Sequence, residues 1–248
     1  MTTILGAAAS GMVYHQQWMD TIGHNLANAN SQAFKVSRAL SEGTPTPDYK
    51  EGGQRLGVAK ATFDPIFHVG AALRTDDPLH FAVQDDTFFR LRDFDGATVF
   101  TRVGGMTVDA DGNLTGPRGR FVEPPITLPP GTKDVAIDQF GNISGIDESG
   151  AGRQVFGQLS FVRFLNPQGL DDMGDGLYRE TVNSGPIEEG TPGSPGFSVL
   201  LSGAVEGSNV EIAEEFTSMI IAQRAYSASA KTFKIGDDML ALATNLTR

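Results

Sequence analysis

The stretch EGSNVEIAEEFTSMIIAQRAYSASAKTFKIGDDML (Glu206–Leu240) decides how this chain is organised. Within it Ile212, Met219, Tyr226, Phe233 and Leu240 recur at intervals of seven. Phe216, Ala230 and Thr244 fall on a companion row, interrupted by the polar Gln223 and Asp237. A seven-residue apolar repeat belongs to a helix that lies along another helix. Ser208 or Asn209 can cap its start, and Glu211, Glu214 and Glu215 occupy the first turns. Arg224, Lys231 and Lys234 follow later, the order a helix dipole favours. The pattern predicts a helix from about Val210 to about Leu246, with Gly236 as its weakest point.

The partner for that helix lies at the other end of the chain. Leu5, Met12, Met19 and Leu26 form one seven-spaced row, and Ala8, His15, Ile22 and Ala29 form a second. From Thr2 to Phe34 the only formally charged residue is Asp20, so this helix is expected to be covered on more than one side. A central core helix of a monomer and a helix buried among neighbouring copies both satisfy that condition. The run ends in GHNLANANSQAFK (Gly23–Lys35), where Asn25, Asn28 and Asn30 stand within six positions. Asparagine disfavours helix interiors and favours turns, so the tract stops or bends the helix.

Between about Gly57 and Ser202 the period changes. LHFAVQDDTFFRLRDFDGATVFTRVGGMTVDADGNLTG reads as short strands joined by Asp-Gly turns. Asp109–Gly116 (DADGNLTG) and Asp138–Gly145 (DQFGNISG) share one turn pattern, and Gly112 and Gly141 are expected at positive φ. A calcium loop of EF-hand type needs Gly at its sixth position and Glu at its twelfth. Here Gly112 stands fourth and Arg120 twelfth, so the reading is a turn with no metal. The Pro- and Gly-rich GPRGRFVEPPITLPPGT suits an edge, and EEGTPGSPG a loop leading back to the C-terminal helix. The expected class is α+β, with two terminal helices packing as a coiled coil plus a mainly antiparallel β-rich middle domain. The expected division is an N-terminal helix over 1–35, a linker over 36–56, a β-rich domain over 57–202 and a C-terminal helix over 203–248.

Composition narrows the function. The 248 residues are 40% hydrophobic, enough for a core, and their net charge of −11 disfavours nucleic acid and anionic lipid. There are no cysteines, so disulfides and thiolate chemistry are excluded. No apolar run approaches the ~20 residues of a membrane span. The start MTTILGAAASGMVYHQQ lacks a basic segment and a long apolar stretch, and reads as mature protein without a cleaved signal peptide. The four histidines, His15, His24, His68 and His80, lack ligand spacing, and no nucleophile or phosphate-loop motif occurs. Adjacent carboxylates such as Asp171/Asp172 and Glu214/Glu215 are more simply a solvated surface than an acid/base pair. No enzymatic activity and no cofactor are expected. A soluble binding β-domain with incidental terminal helices stands as the alternative to a structural polymer subunit.

These motifs resemble the axial proteins of the bacterial flagellum, the rod and hook proteins. MDTIGHNLANANSQAFK is similar to their N-terminal signature at Asn25, Leu26, Ala27, Asn28, Phe34 and Lys35, with His24 where Asn is usual and Ala33 where Gly is usual. Glu206–Val210, Met219, Ile220, Gln223–Tyr226 and Lys231 match the closing motif. LHFAVQDDTFF, FTR, DADGNL and FLNPQGL…GLYRET…SG extend the resemblance across nearly the whole chain. The length looks closest to the distal rod proteins. The short segment between Lys35 and Gly57, AEEFTSMIIAQRAY and the ending NLTR look hook-like, so a proximal rod or minimal hook protein stays open. The resemblance implies subunits exported by the flagellar type III apparatus without a cleaved signal, stacking helically into a hollow torque-transmitting shaft in the basal body. Its partners would be further copies, neighbouring rod and hook proteins and the surrounding rings. The packing positions would be Leu5, Met12, Met19, Leu26, Ile212, Phe216, Met219, Tyr226, Phe233 and Leu240. Asn25, Asn28 and Phe34 would serve at the joint where the chain leaves the inner helices.

Overall fold

A computed structural model describes residues 2–43, 58–148 and 152–246. The chain forms two compact units. The first comprises 1–29, 36–66 and 210–248, and the second 30–35 and 67–209.

The first unit contains α1 (Thr2–Ala27) and α2 (Ile212–Leu246), with a hairpin of β1 (Ser37–Gly43) and β2 (Val58–Pro65). The expected linker over 36–56 therefore opens with a strand, and its remainder, 44–56, lies outside the described residues. α1 ends within the asparagine tract, and α2 runs unbroken through Gly236. The two helices pack antiparallel: a Cβ on Gly236 would lie 2.9 Å from Leu5 Cδ2, one on Gly11 would lie 3.3 Å from Ser229 Oγ, and Asn25 bonds Glu215. The row of α2 at this contact is Ala222, Ser229 and Gly236, with Ala222 wholly buried. The expected companion row does not line it; Phe216 is half exposed and Thr244 is exposed. Small side chains let two helix axes approach closely, and a row chosen by hydrophobicity overlooks them.

The second unit is built on a nine-stranded antiparallel sheet whose central strand is Thr87–Arg92. Successive side chains of a strand point to opposite faces. Phe89 and Leu91 accordingly join one buried cluster with Phe81, Val99 and Phe161, while Phe88 joins another with Phe100, Phe164 and Tyr178. Edge-to-face ring pairs, such as Phe81–Phe89 at 4.7 Å and Phe100–Phe164 at 4.9 Å, hold each cluster. The unit extends past the expected boundary at 202. Strand Ala204–Glu206 is buried and pairs with Ala72–Arg74.

The two echoed turns have the same hydrogen bonds. Asp109 Oδ1 accepts the Asn113 N–H at 2.7 Å and Asp109 Oδ2 accepts Asn113 Nδ2 at 3.1 Å; Asp138 and Asn142 repeat this at 2.8 and 2.9 Å. These bonds, Asn113's side chain foremost, hold the Asp109 carboxyl below the usual carboxylate range. Gly112 and Gly141 sit at φ 85° and 74°, as the turn chemistry requires. Gly112 admits no side chain, since a Cβ there would lie 2.4 Å from the Leu128 carbonyl oxygen. Gly112→Ala is expected to destabilise this unit by about 2 kcal/mol or more, read as a lower urea midpoint. An unchanged midpoint would refute the strain.

Candidate functional site

The motif residues of the two chain ends converge at two places, one in each unit. In the first unit Asn25 is buried at the end of α1. Its Oδ1 accepts the Ser37 N–H at 3.0 Å, and its Nδ2 donates to Ser37 O at 2.9 Å and to Glu215 Oε2 at 3.3 Å. One amide side chain thus ties helix end, hairpin start and α2. Burial pushes the Glu215 carboxyl above its ordinary value, against the Asn25 hydrogen bond. Asn28 donates through both its N–H and its Nδ2 to His24 O, closing the last turn of α1. The asparagine tract is therefore a helix stop with a built-in fastening.

In the second unit the centre is Glu206. Lys35, Arg102 and Glu206 are each at most 3% exposed. Glu206 Oε1 accepts Lys35 Nζ at 2.5 Å and the Gly70 N–H at 2.9 Å; Oε2 accepts Arg102 Nε at 3.0 Å. Lys35 Nζ also donates to His68 O at 2.7 Å. Arg102 spends its other nitrogens on Thr87 O and Asp85 O, and its guanidinium lies 5.5 Å from the Phe88 ring centroid. Burial, then the Arg102 charge, pulls the Lys35 pKa down to about 8, against the pull of Glu206. The main chain repeats the link: Ala33 N–H donates to Glu206 O, Asn209 N–H to Phe34 O, and Gly207 N–H to Ala71 O. Ala33 is buried at φ 50°, a conformation that suits glycine.

This arrangement is a fastening. Every polar atom of Glu206 is spent on structure, and among the described residues no cluster of His, Asp and Glu is arranged to hold a metal. Of the expected packing residues, Leu5, Met12, Met19, Leu26, Met219, Tyr226 and Leu240 are half-buried; Ile212, Phe216 and Phe233 are exposed. Phe34 is half-buried and acts through its carbonyl. Lys35, Arg102 and Glu206 each stand in a quoted motif, but nothing local announces that residues 35, 102 and 206 meet.

The profile described as "Flagellar basal body rod FlgEFG protein C-terminal" matches residues 201–246, and "Flagellar hook protein FlgE/F/G D1 domain" matches 82–145. The chain is 36% identical to the flagellar basal-body rod protein FlgG of Borreliella burgdorferi over 265 residues, covering all of both chains. It belongs to the flagellar rod and hook protein family. The FlgG of Bacillus subtilis is 34% identical, again over the full length of both. A hook protein, FlgE of Borreliella burgdorferi, is 42% identical, but over 42% of this chain and 23% of its own. Rod proteins of this family are structural rather than enzymatic, in keeping with the fastening role of both sites.

Proposed function

We propose that this chain is a subunit of the distal flagellar rod, polymerising helically through its terminal helices into a hollow shaft that transmits torque. Full-length similarity to rod proteins, against partial similarity to a hook protein, supports the rod over the hook. The antiparallel contact of seven-spaced rows supports a coiled coil of α1 and α2. Met219, Tyr226, Phe233 and Leu240 flank the small-residue row of that coiled coil.

The observation that carries self-assembly is the outer face of α2. Phe216, Ile220, Ile221, Ile235, Met239 and Leu242 are each 50–65% exposed. So much apolar surface on one 35-residue helix marks an interaction face. Further copies cover it, with neighbouring rod and hook proteins at the ends of the stack. The ring proteins outside and the type III export apparatus complete the set of partners, and the basal-body rod is the location.

Phe216→Asp combined with Ile220→Asp tests this. Both side chains are already half in water, so monomer melting should move little. In a polymer the charges would be buried without partners, at a cost of several kcal/mol. The expected result is a normal monomer and no filaments by electron microscopy of concentrated protein. Filaments at wild-type yield would overturn the assignment of this face.

A further inference from the structure

One charge of α1 has no use within the chain. Asp20 is the only formally charged residue from Thr2 to Phe34, it is exposed, and it forms no ion pair among the described residues. With Gln17, Thr21 and His24 it shares one stripe of the helix, turned away from the buried Ile22. That stripe and the hairpin flank an open recess of about 360 Å³, whose other lining residues are Ser37 and Phe63. The walls are fixed in place. Asn25 holds Ser37 through two hydrogen bonds, at 2.9 and 3.0 Å, and Thr21 Oγ1 donates to Gln17 O at 2.9 Å. Phe63 is 42% exposed. A carboxylate and an exposed aromatic ring in one recess suit a guanidinium, whose fork of N–H donors matches the carboxylate and whose flat cation lies on the ring face.

The other helix carries such a group. At 3.6 residues per turn, Phe216, Ile220, Arg224, Lys231 and Ile235 fall on the side of α2 opposite Ala222, Ser229 and Gly236, the row that meets α1. Arg224 is the only arginine of α2; it is exposed and forms no ion pair among the described residues. Phe216, Ile220 and Ile221 around it are each 50–54% exposed. Asp238 is the one acid of that side, and it lies near the far end, beyond Lys231 and Lys234. Arg224 and Asp20 thus point away from each other in one chain, and neither can satisfy the other there.

We infer that the recess around Asp20 receives Arg224 from α2 of a second copy of this chain. The guanidinium pairs with Asp20 and lies against Phe63, and the outer stripe of α1 covers the apolar neighbours of Arg224. Lysine suits the recess less, because its ammonium is a compact point charge without a planar fork. The ion pair fixes which turn of α2 meets which turn of α1, a register that apolar surface alone leaves free to slide. The second copy is the one that the proposed self-assembly supplies, so the pairing rests on that reading.

Two experiments on the full chain test the pairing and separate it from self-assembly. The chain has no cysteine, so chains carrying Asp20→Cys and Arg224→Cys are mixed at high concentration and oxidised. A disulfide-linked dimer is expected from the mixture and not from either chain alone. Lys231 lies about 10 Å further along α2. Mixing Asp20→Cys with Lys231→Cys should therefore give less dimer, by about fivefold or more, since a disulfide needs close Cα atoms. In the second experiment Asp20→Arg and Arg224→Asp should each raise the concentration needed for filaments, by about tenfold or more. Both substitutions in one chain should restore it to within about threefold of the original. Both residues are exposed in the monomer, so melting of dilute protein should move little. Filaments without the cross-link, equal cross-linking through Lys231→Cys, or a double variant no better than the single ones would each overturn the pairing while self-assembly stands. The cross-link without filaments from the unsubstituted chain would uphold the pairing and overturn the polymer. Neither cross-link nor filaments would overturn both.

Discussion

Glu206→Gln should cost the β-rich unit about 3–5 kcal/mol, the range for breaking a buried ion pair from one side. The substitution keeps shape and removes one charge. It leaves Lys35 and Arg102, both almost fully buried, with no carboxylate between them. A domain has only about 5–15 kcal/mol of stability in total, so the loss is a large share of it. Surface pairs in the same unit, such as Arg74–Asp76 at 84% and 87% side-chain exposure, would be barely felt if broken. Urea denaturation of the β-rich unit is the measurement, and a midpoint within error of wild type would refute the fastening.

The pH dependence of that variant is a second readout. Lys35 has a folded pKa of about 8, below the ~10.4 of an unfolded lysine. The folded state therefore holds fewer protons than the unfolded state in that window, and stability rises with pH across it. The cost of the buried ammonium is fully present below pH 8 and is relieved as pH climbs toward 10.4. Glu206 opposes the downward shift, so its removal lowers the Lys35 pKa further. The defect of Glu206→Gln should then be largest near pH 6 and smaller at pH 9. A defect that is flat with pH would mean that the lost hydrogen bonds, rather than the stranded charges, carry the effect.

The helices were legible from the sequence because apolar residues at intervals of seven have one simple explanation. The contact between them was less so. Hydrophobic counting selects Phe216 and the large residues, whereas closest approach uses Ala222, Ser229 and Gly236, whose signal is the absence of bulk. The asparagine tract announced a helix end through local propensity, and there Asn28 closes the last turn of α1 while Asn25 bonds Ser37. The Glu206 site was illegible for a different reason. Its members are 67 and 104 residues apart along the chain, and long-range contacts such as Ala33 N–H to Glu206 O and the pairing of Ala204–Glu206 with Ala72–Arg74 help bring them together. A local pattern carries no information about such a meeting. The one hint was Ala33, where the resembling proteins have glycine, and it marks the positive-φ turn beside the site.

That long-range meeting decides which part of the chain folds alone. A fragment of residues 35–202, which stops where the apolar alternation stops, should fail to fold stably. It lacks Glu206, so the 3–5 kcal/mol of stranded charge applies in full. It also lacks Ala204 and Val205, which are buried against their neighbours, at a further loss of about 2 kcal/mol or more. The main-chain bonds from Ala33 to Glu206, Gly207 to Ala71 and Asn209 to Phe34 go with them. Together these losses approach the whole stability of an ordinary domain. A fragment of residues 30–209 keeps every one of these contacts and the β1–β2 hairpin, and omits α1 and α2. It should give dispersed methyl resonances, a cooperative urea transition and a monomer that does not polymerise. If the shorter fragment folds as cooperatively as the longer, the closing strand and its carboxylate are ornament to a β-core that stands without them. If the longer one fails as well, the β-rich unit depends on the helical one, and the division of the chain into two units does not describe how it folds.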